Sequence, residues 1–270
     1  MMKKEIILNN GSIMPIIGIG GWAQKKKDIC NALNTGYRMI DTAAQYGNET
    51  EVGNAIKESC VKREDIFLTT KLWTRDVREG KVVEAFENSL KNLKTEYVDL
   101  YLIHWPAEGF EKAWMEMEKL YLKGRIRSIG VSNFEKHHFE ELIEYGASVV
   151  PAVNQIESHP FFSNQDIIDY ATSRDIVSEA WCPLGGPGSG EMNDMVIKEI
   201  ASKFNKTPAQ IILRWHVQRG VVVIPKSSNE ERMKQNLEVF DFELGEDDMR
   251  VVGALEKGRR LGAHPDHFDF

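Results

Sequence analysis

Followed along its polar and apolar positions, the chain changes rhythm once. Residues 4–19, KEIILNNGSIMPIIGI, set two apolar runs around Asn10-Gly11, a dipeptide that readily takes the positive φ angles of a tight hairpin turn. A short β-hairpin is expected there. From Lys25 onward, a polar–apolar helical stretch alternates with a short apolar run that ends in polar residues. The short runs are YRMIDT (37–42), IFLTTKL (66–72), VDLYLIHW (98–105), IRSIGVSN (126–133), VVPAVNQIE (149–157), IVSEAWCPL (176–184), VVVIPKS (221–227) and the weaker VFDF (239–242), eight candidate strands. Amphipathic segments such as Val82 to Leu93, Phe110 to Leu122 and Pro208 to Arg219 lie between them, the last with Thr207 as its cap and proline at the first helical position. Strand–helix alternation through eight units predicts a (β/α)8 TIM barrel preceded by an N-terminal β-hairpin, one domain over residues 1–270.

Each run begins apolar and ends in chemistry: Asp41, Lys71, His104, Ser132 with Asn133, Gln155 with Glu157, Trp181, and Lys226 with Ser227. A barrel brings all those ends to one face, where the catalytic groups of this fold sit. Composition then narrows the class. The 34 Lys and Arg against 41 Asp and Glu give a formal charge of −7, a field that repels polyphosphate, so no nucleic-acid partner is expected. Cys30, Cys60 and Cys182 are odd in number and lack a CxxC spacing, which suggests neither a disulfide framework nor a thiolate zinc site and fits a reducing compartment. The opening MMKKEIIL has too short an apolar run for a signal-peptide core, and no stretch approaches a membrane span. A soluble, cytoplasmic monomer with no membrane partner is the expectation.

The stretch DTAAQYGNE (41–49), followed by TTKLW (69–73), LIHWP (102–106), GVSNF (130–134), NQIESHP (154–160) and IPKS (224–227), closely resembles the aldo-keto reductase family, and the likeness spans essentially the whole chain. The short segment from Pro106 to Phe110 and the ending AHPDHFDF are most similar to the compact bacterial-type members, the 2,5-diketo-D-gluconate reductase and prostaglandin F synthase-like branch. The resemblance implies reduction of aldehydes and ketones to alcohols with hydride from NADPH. It further implies a tetrad in which Tyr46 is general acid in reduction and base in oxidation, Lys71 and Asp41 tune it, and His104 orients the substrate.

The residues support that chemistry on their own terms. Hydride addition to a carbonyl creates alkoxide character on oxygen, which a positioned acid must meet. A phenol titrates at about 10, and a nearby ammonium, here Lys71, is expected to lower that value. Taken singly, Tyr46 could be a loop aromatic, Asp41 a helix cap and His104 a core histidine; at successive strand ends they form a set.

For the cofactor, the resemblance places the nicotinamide carboxamide against Ser132, Asn133 and Gln155, with Trp181 stacked on the ring. Gly21 and Asp41 belong to the same implied contact set. Leu184 and Gly185, with Gly186, resemble a loop that covers the pyrophosphate. In KSSNEERMKQN (226–236), Lys226, Ser227 and Arg232 resemble residues that grip a 2′-phosphate, and an arginine fork suits phosphate geometry. Gln235 departs from the glutamate of many relatives beside Asn236, in the adenine-contacting region, so altered affinity is expected there.

Trp22, Trp73 and Trp105 match the substrate-pocket loops, and with His104 they would give an apolar mouth over a polar floor. Small aldehydes, dicarbonyls such as methylglyoxal, or keto-sugars are the expected substrates. Two other signals carry less. Gly18-Ile19-Gly20-Gly21-Trp22-Ala23 with Asp41 downstream imitates a dinucleotide fingerprint, but lacks its third glycine. His137-His138 lack the i, i+4 spacing of a helical zinc pair, and His264-x-x-His267 lies in the tail, so no metal is expected. The alternative function is an NADPH-binding redox-sensing or structural protein with little turnover.

Overall fold

The computed structural model describes residues 4–270. Strands β1 (Glu5–Ile7) and β2 (Ile13–Pro15) pair antiparallel with Ile6 opposite Met14. The turn between them uses Gly11 at φ 84°, a conformation that suits a residue without Cβ. Asn9 Nδ2 donates to Pro151 O at 3.0 Å, and Asn10 Nδ2 to Arg127 O at 2.9 Å and Ser128 Oγ at 3.0 Å. The hairpin therefore lies across the entry ends of two later strands and closes the bottom of the barrel.

The barrel itself is an eight-stranded parallel sheet in sequence order. Its strands are β3 (Ile19–Gly20), β4 (Met39–Asp41), β5 (Phe67–Leu72), β6 (Leu100–Ile103), β7 (Ile129–Ser132), β8 (Val153–Glu157), β9 (Val177–Trp181) and β10 (Val222–Val223). It closes where Ile17 bridges Val223, with Gly18 N donating to Val223 O at 2.9 Å and Gly20 N to Pro225 O at 3.2 Å. Both faces of these strands are covered, so β5 is buried at every position even though it reads FLTTKL.

The seam corrects one expectation. VFDF (239–242) is not a strand; the remaining strand comes from Ile17–Gly20, directly after the hairpin. A Cβ on Gly20 would lie 2.8 Å from Ile224 O, so the glycines that imitate a dinucleotide loop instead let two backbones approach. Three carbonyls in and beside this stretch are satisfied by side chains of α9 (Pro208–Gln218): Gln210 Nε2 donates to Glu238 O, Arg214 Nη1 to Val239 O and Gln218 Nε2 to Leu244 O. An apolar–polar alternation served this way needs no sheet neighbour.

The helices α1 (Lys26–Thr35), α2 (Glu49–Glu58), α4 (Val82–Leu93), α5 (Phe110–Leu122), α6 (Lys136–Tyr145), α7 (Gln165–Thr172), α8 (Met195–Phe204), α9, α10 (Glu230–Leu237) and α11 (Glu246–Gly253), with the short α3 (Thr74–Arg78), cover the outside. Helix α4 buries Val82, Phe86, Leu90 and Leu93, the stripe its sequence spacing dictates. Helix α9 starts at the Thr207 cap with Pro208 at its first position and Gln210 completing a capping box. No helix among the described residues is long and apolar enough to cross a membrane.

Candidate active site

The sheet order brings the four tetrad candidates to one rim. Asp41 ends β4, Lys71 lies in β5, His104 follows β6, and Tyr46 sits on a 3-10 turn, Ala44–Tyr46. That turn is closed by Gly47 at φ 65°, whose N–H donates to Ala44 O. Behind it, Asn48 Nδ2 donates to Gly21 O at 2.7 Å and Gln24 O at 3.0 Å, while Thr42 Oγ1 donates to Asn48 Oδ1. The loop that carries the phenol is thus fastened to the loop after β3.

Lys71 is fully buried and uses all three N–H groups: Asp41 Oδ1 at 2.6 Å, Thr42 O at 3.0 Å and Tyr46 Oη at 3.3 Å. Burial penalises the Lys71 ammonium most, but Asp41, with Tyr46 and Glu179 behind it, outweighs that penalty and holds it above its ordinary value. Burial also pushes the Tyr46 phenol up, and the Lys71 charge pulls it back only in part. The lowering expected from the ammonium alone is outweighed, so Tyr46 keeps its proton at neutral pH. His104 is pressed well below its ordinary value by burial and then by the charge of Lys71, which makes it a neutral imidazole. Its ring meets Tyr46 edge-on at 5.7 Å and Trp73 at 5.1 Å.

The amide-bearing residues form a second layer. Ser132 Oγ donates to Gln155 O at 2.8 Å, and Asn133, in the left-handed region at φ 62°, donates from Nδ2 to His104 O at 3.0 Å and Ser132 Oγ at 3.1 Å. Asn133 Oδ1 accepts from Trp181 Nε1 at 2.8 Å, fixing the half-buried indole at the end of β9. Gln155 Nε2 donates to both Asp41 Oδ2 at 2.8 Å and Glu179 Oε2 at 2.7 Å. Leu184 and Gly185 follow β9; Gly185 adopts φ 73° and a Cβ there would lie 2.5 Å from the Glu191 carboxyl. On the far side, Lys226 and Arg232 are exposed and form no ion pair among the described residues, Ser227 is buried, and Arg232 N is capped by Asn229. Gln235 is half-buried, and Asn236 is buried.

With that geometry in place, residues 17–257 match the sequence model of the Aldo/keto reductase family. The glyoxal reductase of Bacillus subtilis (strain 168) is 45% identical, over 100% of this chain and 99% of its own. Methylglyoxal reductase DkgA of Escherichia coli (strain K12) is 43% identical over 97% of each chain. A crystal structure of an aldo-keto reductase from a Medee basin deep-sea metagenome library superposes with a TM-score of 0.93 at 43% identity, covering 98% of this chain and 100% of that one. The chain belongs to the aldo/keto reductase family. It is an oxidoreductase.

In this aldo-keto reductase the mouth of the site is aromatic. Trp22, 58% exposed, stands edge-on to Tyr46 at 5.0 Å. Trp73 stacks on Phe270 at 5.4 Å and 10°, and Trp105 packs against Phe268 and Phe270 at 5.2 Å each. Arg78 Nη1 donates to Phe270 O at 2.8 Å. The three indoles are legible in the sequence; the wall contributed by Phe268 and Phe270 follows from tertiary contact alone.

Glu157, read as strand-end chemistry, faces that tail: its carboxylate accepts from Leu261 N and Gly262 N, the latter at 3.0 Å. His137, His138 and Asp266 form the one grouping with metal-ligand proximity among the described residues. His138 Nδ1, however, accepts from Glu135 N at 3.0 Å, leaving its proton on Nε2, 3.4 Å from Asp266 Oδ1. Burial lowers His138 to about 4, so a neutral ring pins the tail as a hydrogen-bond donor. The remaining residue that sequence reasoning passed over is Glu179, wholly buried beneath Gln155. It lies two residues before Trp181, on the same face of β9.

Proposed function

We propose that the protein reduces small aldehydes and dicarbonyls to alcohols with NADPH, using Tyr46 as the proton donor. One observation carries this reading. Lys71 has only donors, and its third N–H goes to the Tyr46 oxygen at 3.3 Å. The phenol oxygen is therefore an acceptor toward the lysine, and its own proton is left for an oxygen in the open part of the site.

When bound, the nicotinamide supplies hydride to the carbonyl carbon. The residues do the rest. Neutral His104 donates a hydrogen bond to the carbonyl oxygen and sets its direction toward Tyr46. As alkoxide character develops, Tyr46 gives up its proton, and the Lys71 ammonium, held by Asp41, stabilises the phenolate that forms. In the reverse direction the same phenolate is the base. Trp22, Trp73, Trp105 and the tail phenylalanines exclude water from the reacting oxygen, which strengthens each of these interactions.

The chain's groups fit a nicotinamide dinucleotide phosphate. Trp181 is locked by Asn133 and offers a ring face, Ser132, Asn133 and Gln155 converge where an amide would lie, and Leu184 with Gly185 supplies a close-approach backbone. Gly21 and Asp41 border the same space. Lys226 and Arg232, with neighbouring Ser227, provide cations without internal ion pairs among the described residues for a 2′-phosphate, and Gln235 and Asn236 flank the adenine side. The relatives named for methylglyoxal and glyoxal favour a dicarbonyl. A cofactor-holding role with little turnover has no supporting observation in so fully assembled a site.

The test is NADPH consumption with a panel of aldehydes and dicarbonyls. Tyr46→Phe should lower kcat by about a thousandfold while NADPH affinity, read by quenching of tryptophan fluorescence, stays unchanged. Normal turnover by that variant would sink the mechanism.

A further inference from the structure

Beneath the tetrad lies a carboxyl group that the reaction as described does not use. Glu179 is in the middle of β9 with 0% exposure, flanked by Gln155 on β8 and Val222 on β10. Its Oε2 accepts from Gln155 Nε2 at 2.7 Å, and its Oε1 is buried with no hydrogen-bond partner among the described residues. The same Gln155 nitrogen donates its other proton to Asp41 Oδ2 at 2.8 Å. One NH2 group thus stands between two carboxyls, with Lys71 paired to only one of them, at Asp41 Oδ1.

Charge counting decides the protonation. Asp41 has Lys71 at 2.6 Å and is the carboxylate of the pair. A second negative charge in the same interior would be opposed by the first and would leave Oε1 as a buried anionic oxygen without a donor, a costly arrangement. A carboxylic acid removes the second charge, because Oε2 remains an acceptor and Oε1 carries the proton; the neutral hydroxyl left unpaired there costs less than a buried anionic oxygen would. Burial, followed by the charge of Asp41, pushes Glu179 up to about 8, in keeping with that state. The charged groups that face it are Asp41 from β4 and Lys71 from β5; β8 and β10 present the neutral Gln155 and Val222 beside it.

The consequence falls on Gln155. Its nitrogen is held by two carboxyl oxygens, so the amide cannot turn over without placing its oxygen against the Asp41 carboxylate. The Gln155 side-chain oxygen, Oε1, takes no hydrogen bond among the described residues and is presented to the site as an acceptor.

We propose that Glu179 is a positioning residue of this reductase, a neutral carboxylic acid that, together with Asp41, fixes the Gln155 amide so that its oxygen receives the N–H of the nicotinamide carboxamide. The role rests on the cofactor placement proposed above. Glu179 touches neither substrate nor cofactor and acts only through Gln155.

The experiment compares Glu179→Gln, Glu179→Leu and Glu179→Ala for binding of NADPH and of 2′,5′-ADP, which lacks the nicotinamide. Gln keeps a neutral acceptor and should bind both ligands as the unsubstituted enzyme does. Leu and Ala remove the acceptor with different volumes; each should weaken NADPH by roughly tenfold, the order of one hydrogen bond, and leave 2′,5′-ADP unchanged, which also reports an intact fold. Infrared spectra at neutral pH give a readout that does not depend on the apolar variants folding: the carbonyl stretch of a protonated carboxylic acid should be present in the unsubstituted protein and lost in Glu179→Gln. Full NADPH affinity in the Leu and Ala variants, a loss in the Gln variant equal to theirs, or no such band would each overturn the proposal. Failure of the unsubstituted protein to bind NADPH would instead bring down the cofactor reading, with the infrared band still reporting on Glu179.

Discussion

At the scale of single residues, the site is organised by how one buried environment separates neighbouring titratable groups. Asp41 and the other acidic groups around it hold the Lys71 ammonium up against the cost of its burial, whereas burial and Lys71 drive His104 down and burial with Asp41 drives Glu179 up. Glu179 has a consequence for stability that can be signed. An unfolded glutamate titrates at about 4.3, and in the fold Glu179 does so at about 8, so between those values the native state holds a proton that the unfolded chain has released. Its contribution is intact below the lower value, declines as pH rises toward the upper one, and is constant beyond it. Glu179→Gln removes that slope. Thermal melts of the two proteins should therefore diverge in favour of Gln by roughly 5 °C between pH 5 and pH 8; parallel melts across that window would contradict a neutral Glu179. Tyr46, Lys71, Asp41 and His104 were legible in the sequence because each ends an apolar run or follows one closely. Glu179 was not, since a lone acid inside an apolar run looks like a strand's polar face until the barrel shows that both faces are covered. The sign of the Tyr46 shift was also beyond reach, because burial depends on the groups that the fold packs around the phenol, Trp22 and His104 among them.

At the scale of elements, legibility followed local rules. Helices α4 and α5 have the boundaries their sequence periodicity predicts, and α9 starts at its Thr207 cap, as expected. These segments carry their own signals: a stripe of apolar residues, a cap, a proline. Strand β3 carries almost none, being two residues long and glycine-flanked, and VFDF, which alternates like a strand, lies where α9 side chains take the carbonyls of Val239 and of the flanking Glu238 and Leu244. Helix α10 and the loop before it bear the next prediction. Lys226 and Arg232 are exposed and free of internal ion pairs among the described residues, so their charge is available to an incoming phosphate. Replacing both with alanine should weaken NADPH by about a hundredfold at low salt, less at high salt, and leave NADH nearly unaffected. Equal losses for the two nucleotides in binding titrations would remove these residues from 2′-phosphate recognition.

At the scale of the whole molecule, the site is built from both ends of the chain. The tail runs past Glu157, is pinned by His138 at Asp266, and lays Phe268 and Phe270 on Trp105 and Trp73. Phe270→Ala should raise KM for small aldehydes several-fold, roughly the value of a lost apolar wall, with kcat little changed; steady-state kinetics in which kcat falls instead would give the tail a part in the chemistry. The closing seam has a different bearing, on how the protein comes into being. Ile17 meets Val223, so the ring of hydrogen bonds cannot be completed during synthesis until nearly the whole barrel has left the ribosome. Every shorter nascent chain presents two bare strand edges, and long-range pairing of this kind is slow to form. A stalled or truncated translation product is therefore the form of this protein most prone to edge-to-edge association.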